Sequence, residues 1–397
     1  MMWTYVNPVG IEFGIDSFAR LPFLIRKRRY ALVSYDEPFF HDLADRLAAE
    51  AGQPLLTIMD VVPNPDYRIL EAQTKRFADL DTPPELIVAI GGGSVIDSAK
   101  VFAAAHGNFG AIKTFLETKR NDNSTLSTPI IAVPTTAGTG SEVTCWGTVW
   151  DEATSNKYSL ARPDLYPVVA LVDPRLMLGK PRQLTISTGL DALSHALESI
   201  WNLNGNPVSA NHAVVAARLA MATLPKLASD LSNIELRTEM AKAALFAGLA
   251  FSNTKTAIAH SVSYPITLRH GVQHGIACSF SLPMILRSMQ GVGGLCGQSL
   301  TQIFGSDFHA GADRLEETLA SLGVSANPLD YKIGKDEWIE LISDALEGER
   351  GKNFLGSKQA LLGAAGHLRS ATNEKKGVGV GQAFLAAQRV SGSKESV

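Results

Sequence analysis

The sequence predicts an α/β fold in two parts: an N-terminal Rossmann-like domain on a parallel sheet, then an all-helical C-terminal domain. Three observations predict it. Short apolar, strand-like runs alternate with amphipathic segments up to about residue 183. Two of those runs end in glycine-rich turns, and from residue 184 onward the chain reads as long Ala/Leu-rich stretches of helical period. At 397 residues the chain exceeds one ordinary core, so residues 1–183 and 184–397 form the expected division.

In order along the chain, RYALVSY (29–35) predicts a buried strand and FFHDLADRLAAEAG the helix after it. LLTIMDV predicts a second strand and ILEAQTKRFADL a second helix. ELIVAI (85–90) is a third strand, followed by GGGS and a helix through Asp97 and Lys100. TPIIAVPTTAGTGSE (128–142) is a fourth strand running into a glycine-rich turn. Such alternation implies a parallel sheet covered on both faces. Gly179 and Pro181, in LMLGKPRQLTIST, punctuate the domain boundary. Beyond them NHAVVAARLAMATLPKLASD and LRTEMAKAALFAGLAF keep helical period.

Hydrophobic residues make up 45% and charged residues 19%, with a formal charge of −3, so nothing favours nucleic acid or an anionic membrane as partner. The three cysteines, Cys145, Cys278 and Cys296, are scattered without a CxxC, which argues against a disulfide framework and fits a reducing cytoplasm. The start, MMWTYVNPVGIEFG, has no basic region before an apolar core, and no apolar run reaches the ~18–20 residues of a membrane span. The small, polar VSGSKESV at the end is expected to fray.

Two loops carry chemistry. Gly91-Gly92-Gly93-Ser94 joins an apolar strand to a helix, where glycines allow close backbone approach and a helix start offers N–H groups to an anion. Ser94 reads as the helix N-cap, with Asp97 three residues on in a capping-box-like position. A plain strand-to-helix turn explains the same residues, and the motif is neither GxGxxG nor a Walker loop. The second loop, Pro134 to Glu142, adds the hydroxyls of Thr135, Thr136 and Thr139 at the carboxyl end of a strand. Two such loops point to a dinucleotide.

DALSHALES (191–199) places Asp191 and His195 four apart, on one face of a helix that starts near Thr188–Gly189. Alone, the pair is an ordinary helix face with an aspartate in the first turn. A second stretch, 253–277, changes that reading. His260 ends an apolar turn, and His274 opens another apolar helix, GIACSFSLP. Four of the nine histidines (195, 260, 270, 274) fall in these two stretches. One carboxylate and two or three imidazoles suit a divalent transition metal.

Together GGGSxxDxAK (91–100), PTTAGTGSE (134–142), TGLDALSHALE (188–198) and the His260–His274 pair resemble the iron-containing (group III) alcohol dehydrogenase family, in order, over residues from about 10 to 285. The resemblance implies NAD(P)-dependent interconversion of an aldehyde and an alcohol, and a homodimer. It implies Asp191, His195, His260 and His274 as ligands of Fe²⁺ or Zn²⁺. Gly92, Gly93, Ser94, Thr135, Thr136 and Thr139 would contact the cofactor, with Asp97 and Lys157 bordering it. Asp36, after the strand YALVSY, favours NAD if it reaches a ribose hydroxyl; Tyr35 in that place leaves NADP open.

One position departs from the family. Four residues after the third ligand, many members carry a histidine that assists proton transfer; here the residue is Tyr264. Tyr264 and His270 are rival relays. Lys255 and Arg269, with His270, supply cations that suit an anionic substrate, or they are merely solvated. HSVSYPITLRHGVQHG resembles the phosphonoacetaldehyde reductase branch, which forms 2-hydroxyethylphosphonate. Sulfoacetaldehyde and a neutral short-chain aldehyde or diol are the competing substrates. A dehydroquinate synthase-like lyase and a non-catalytic nucleotide-binding protein are the competing classes.

Overall fold

The computed structural model describes residues 2–119, 126–151 and 156–366; the tail VSGSKESV lies outside them. Two compact units divide the described chain. One holds residues 6–180 with 232–241, and the other residues 2–5, 181–231 and 242–366.

The first unit contains, in order, β1 (Gly10–Phe13), α1 (Leu21–Ile25), β2 (Tyr30–Val33), α2 (Pro38–Ala51), β3 (Leu56–Ile58), α3 (Tyr67–Ala78), β4 (Leu86–Gly91), α4 (Gly93–Ala105), α5 (Phe109–Thr118), β5 (Ile130–Pro134), β6 (Trp146–Asp151), β7 (Asn156–Ala161) and β8 (Val169–Val172). Six strands form a parallel sheet in the order β1-β8-β5-β4-β2-β3. The central strands are apolar throughout because both faces are covered. Leu86, Val88 and Ile90 of β4 join one core, while Ile87 and Ala89 join the other. β2 splits likewise, Tyr30 and Leu32 against Ala31 and Val33, as a two-residue period requires.

The edge strand β1, GIEF, is partly exposed and opens the chain, and the inner β8, VALV, follows a hairpin rather than a helix, so both lie outside the strand–helix alternation. An antiparallel hairpin of β6 and β7 follows the threonine loop and packs on α4.

The second unit is helical: α6 (Arg182–Ile200), α7 (Pro207–Ser229), α8 (Ile234–Thr254), α9 (Ile258–His270), α10 (His274–Ser279), α11 (Leu282–Ser288), α12 (Gly294–Phe304), α13 (Phe308–Ser321), α14 (Lys335–Glu347) and α15 (Lys358–Gly366). The first residues of α8, up to Ala241, group with the sheet. α7 starts sharply, with Asn206 and Ser209 in a reciprocal capping box and Pro207 at the first position.

Two expectations need correction. α6 begins at Arg182, not near Gly189, because Pro181 supplies the break. Asp191 therefore lies in the third turn, and attraction to the helix N-terminus does not explain it. The stretch GIACSFSLP is likewise not one helix. It divides at Phe280–Ser281, where Pro283 sits in the first turn of α11.

Among the described residues, no helix is long and apolar enough to cross a membrane.

Candidate metal centre and nucleotide turn

α6, α9 and α10 bring one group of donors together. Donor atoms of Asp191, His260, His274 and Cys278 all lie within 4.8 Å of one another. Asp191 Oδ1 and His260 Nε2 are 3.4 Å apart, both buried, and neither has a hydrogen-bond partner. A cation shared between them would satisfy both buried atoms. The donor set, a carboxylate, two imidazoles and a thiol, fits a divalent transition metal.

A glycine makes this convergence possible. Gly275 follows His274 where α10 packs on α6, and a Cβ there would stand 1.9 Å from the Ser187 carbonyl oxygen. Only a residue without a side chain lets α10 approach α6 closely enough.

Glu198 governs the orientation of His260. It lies on α6 seven residues after Asp191, on the same face, and is fully buried. Its Oε2 accepts the His260 Nδ1–H at 2.5 Å. Its Oε1 accepts the first-turn N–H groups of α9, from Ala259 at 2.5 Å and His260 at 3.1 Å. The carboxylate thus caps α9 and leaves the Nε2 lone pair of His260 facing Asp191.

Burial opposes charge on Asp191, but the imidazoles of His195, His260 and His274 outweigh it and hold the carboxyl far below the usual range. Burial likewise opposes charge on Glu198, and the His260 imidazole with the α9 N–H groups more than offsets it.

His195, the remaining expected ligand, lies beside this donor group. Its ring stacks on Phe251 at 4.0 Å and 5°, and on His260 at 4.5 Å and 18°. Nε2 of His195 stands 3.9 Å from Asp191 Oδ1. Sequence reading missed Cys278 and Glu198, although Cys278 follows His274 by four and Glu198 follows His195 by three.

Tyr264 lies one turn beyond His260 and stacks on the His274 ring at 5.8 Å and 6°. His270 does not join it. It lies ten residues, about 15 Å of helix rise, from His260, and its Nε2 is 2.9 Å from Glu337. The expected relay role of His270 is corrected on that ground. Lys255, at φ 63°, and Arg269 are both exposed, outside the donor cluster. A cation that does reach the site's flank is Arg350. Its guanidinium sits 5.2 Å from the Tyr264 ring centre and donates to the Thr256 hydroxyl at 2.5 Å.

In the other unit, the two loops pack on each other. A Cβ on Gly93 would meet Thr139 Oγ1 at 2.9 Å, and one on Gly92 would meet Thr136 Oγ1 at 3.4 Å. The Thr135 N–H donates to the Gly91 carbonyl at 3.0 Å, while its buried hydroxyl has no partner. The N-cap of α4 is Gly92 rather than Ser94, because α4 starts at Gly93 and takes Ser94 into its first turn. Ser94 Oγ instead accepts the Asn64 N–H.

Asp97 is occupied within the protein: Ser141 donates to Oδ1 at 2.5 Å and the Thr148 N–H to Oδ2 at 2.9 Å. It braces the threonine loop together with Lys100, whose buried ammonium donates to Ser141, Thr144 and Trp146. Tyr35, not Asp36, stands over the glycine turn, its hydroxyl 3.7 Å from where a Gly92 Cβ would be. Burial pushes its phenol up to about 12. Asp36 is exposed and paired with His41 at 2.7 Å. Lys157 lies on β7 opposite Trp150, with Nζ 4.9 Å from the indole ring centre.

Comparison with known proteins gives this geometry a family. The model of iron-containing alcohol dehydrogenase matches residues 8–174, and that of the family's C-terminal domain matches residues 185–356. Long-chain-alcohol dehydrogenase 1 of Geobacillus thermodenitrificans is 31% identical over 76% of this chain and 78% of its own. The chain belongs to the iron-containing alcohol dehydrogenase family. By family it is an oxidoreductase of the alcohol dehydrogenase type.

Phosphonoacetaldehyde reductase of Streptomyces viridochromogenes is 34% identical over 59% of this chain and 60% of its own. Among curated relatives, the matched stretch spans 52% of one relative's length and 78% of another's. The crystal structure of sulfoacetaldehyde reductase from Bifidobacterium kashiwanohense, in complex with NAD+, superposes with a TM-score of 0.85. It is 30% identical and covers 94% of this chain and 100% of that one.

Proposed function

We propose that this family member reduces a small anionic aldehyde to its primary alcohol with NAD(P)H, and that the aldehyde is phosphonoacetaldehyde. The donor cluster on α6, α9 and α10 carries the reading, because a nucleotide-binding or structural protein has no use for orphaned buried donors. A divalent metal held there supplies Lewis-acid polarisation of a carbonyl oxygen, and a nicotinamide supplies the hydride.

The chain's own residues do the rest. Asp191, His260 and His274 hold the ion, with His195 the fourth ligand by family motif. Glu198 keeps the His260 proton on Nδ1 so that Nε2 accepts. The Tyr264 phenol, stacked beside His274, gives a proton to the reduced oxygen. Arg350, rather than Lys255 or Arg269, is the cation that receives the substrate's anionic end. In the other unit the Gly92–Gly93 turn with Thr135, Thr136 and Thr139 takes the dinucleotide, with Tyr35 beside it.

A second reading, sulfoacetaldehyde, is favoured by the likeness to the sulfoacetaldehyde reductase structure. The test is oxidation of NADH and NADPH by the metal-loaded protein with phosphonoacetaldehyde, sulfoacetaldehyde and propionaldehyde. A kcat/KM at least tenfold higher for phosphonoacetaldehyde than for the other two supports the proposal. Preference for sulfoacetaldehyde selects the second reading, and no better turnover of either anion than of propionaldehyde refutes both. Accumulation of NAD(P)+ separates a reductase from a lyase that returns its cofactor unchanged.

A further inference from the structure

We propose that Thr256 is a positioning residue for substrate selection: it orients the Arg350 guanidinium while leaving its charge free for a ligand. The proposal rests on the anion-receiving role given to Arg350 above. Thr256 lies between α8 and α9, four residues before His260, and is buried. Its hydroxyl oxygen accepts a hydrogen bond from Arg350 Nη1 at 2.5 Å. The backbone around it is tied down by two amide side chains. Asn353 Nδ2 donates to the Thr256 carbonyl oxygen at 2.9 Å, and Asn202 Nδ2 to that of Lys255 at 3.2 Å.

A tight turn delivers Arg350 to this acceptor. After α14 the chain folds back at Gly351, where a Cβ would stand 1.8 Å from the Ala345 carbonyl oxygen. Only a residue without a side chain permits that approach. The guanidinium then meets the Thr256 hydroxyl on one nitrogen and the Tyr264 ring at 5.2 Å. Tyr264 in turn stacks on His274.

Arg350 is half-buried, and among the described residues no carboxylate lies within ion-pair distance of it. A carboxylate in the place of Thr256 would orient the guanidinium equally well but would neutralise it. A hydroxyl fixes the direction and keeps the charge. With Nη1 engaged, Nε and Nη2 remain as a pair of parallel donors, the pattern that grips two oxygens of a phosphonate or sulfonate. A lysine ammonium has no such fork, so charge alone would not reproduce the site.

Selectivity and binding of the metal-loaded, full-length protein test this. The first readout is the ratio of kcat/KM for phosphonoacetaldehyde or sulfoacetaldehyde, whichever is turned over better, to that for propionaldehyde. The second is calorimetric binding of 2-hydroxyethylphosphonate. Thr256→Val removes the acceptor at nearly constant shape and should lower both about tenfold, the scale of a hydrogen bond to a charged group. Thr256→Ser should restore most of both. Arg350→Lys leaves the buried threonine in place, keeps the charge, and should lower both as Thr256→Val does. In an Arg350→Met background, Thr256→Val should change neither readout further, an outcome that a merely structural role does not produce. Undiminished selectivity in Thr256→Val or Arg350→Lys, or a further loss in the Arg350→Met background, overturns the proposal and leaves the anionic substrate standing. Absence of any preference for the anion in wild type, or a preference that survives Arg350→Met, overturns the underlying reading as well.

Discussion

Glu198→Gln separates fold from metal affinity at the centre. The carboxylate accepts on both oxygens: Oε2 takes the His260 Nδ1–H, and Oε1 takes the N–H groups of Ala259 and His260. A carboxamide has the same shape but only one accepting oxygen. Turned one way, its NH₂ faces two backbone N–H groups. Turned the other way, it faces Nδ1 and forces the imidazole proton onto Nε2, the atom that must ligate.

Either orientation costs about 1–3 kcal/mol for an unsatisfied buried donor. The second also removes a ligand's lone pair, so metal affinity should fall about 10–100-fold, as usual for loss of a carboxylate behind a histidine ligand. Glu198→Ala loses all three acceptor interactions and should be destabilised by about 3–5 kcal/mol. Chelator competition measures the first effect and denaturant unfolding of the apoprotein the second. If Glu198→Gln binds metal as tightly as wild type, the carboxylate does not set the imidazole's proton and the argument fails.

Gly275→Ala places a methyl group 1.9 Å from the Ser187 carbonyl oxygen, so α10 must withdraw from α6. Loss of metal binding is expected with a destabilisation of at least about 1–3 kcal/mol, read by metal content and chemical denaturation. Burial pushes Glu142 up to about 7. A raised folded-state pKa gives stability that is complete below the unfolded value near 4.5 and is lost as pH rises through 7. Glu142→Gln should remove a fall of about 3 kcal/mol or less over that range, visible as a flatter Tm profile than wild type between pH 4.5 and 7.5. Tyr264→Phe should lower kcat by about 10²–10⁴ while leaving the affinity for NADH unchanged; full kcat across pH would remove the phenol from the reaction. Arg350→Met should raise KM for an anionic aldehyde by about 10–100-fold, the worth of a charged hydrogen bond, with little change for propionaldehyde.

Much of the fold was legible because period and punctuation are local properties. ELIVAI followed by GGGS, and TPIIAVP followed by TTAGTG, announced β4 and β5 with their polar turns, since buried parallel strands must be apolar throughout. β1 and β8 escaped because β1 is a partly exposed edge strand that opens the chain and β8 follows a hairpin, so neither joins the strand–helix alternation. The start of α6 is set by Pro181, while Thr188–Gly189 imitate a helix start inside it.

The donor identities of Asp191, His260 and His274 followed from residue type, spacing and family resemblance. Sequence by itself determined that a carboxylate and several imidazoles exist on helical segments, and that two glycine-rich turns follow strands. Only the tertiary structure decided which of them converge. Convergence depends on how α10 packs on α6, and a missing Cβ at Gly275 permits that approach. The same packing brings Cys278 into the cluster, stacks His195 against His260, and sets Glu198 behind the ligand it orients. It also ties His270 to Glu337 and puts Arg350 beside Tyr264. Side-chain direction across helices is a long-range property, and residue spacing within one helix does not encode it.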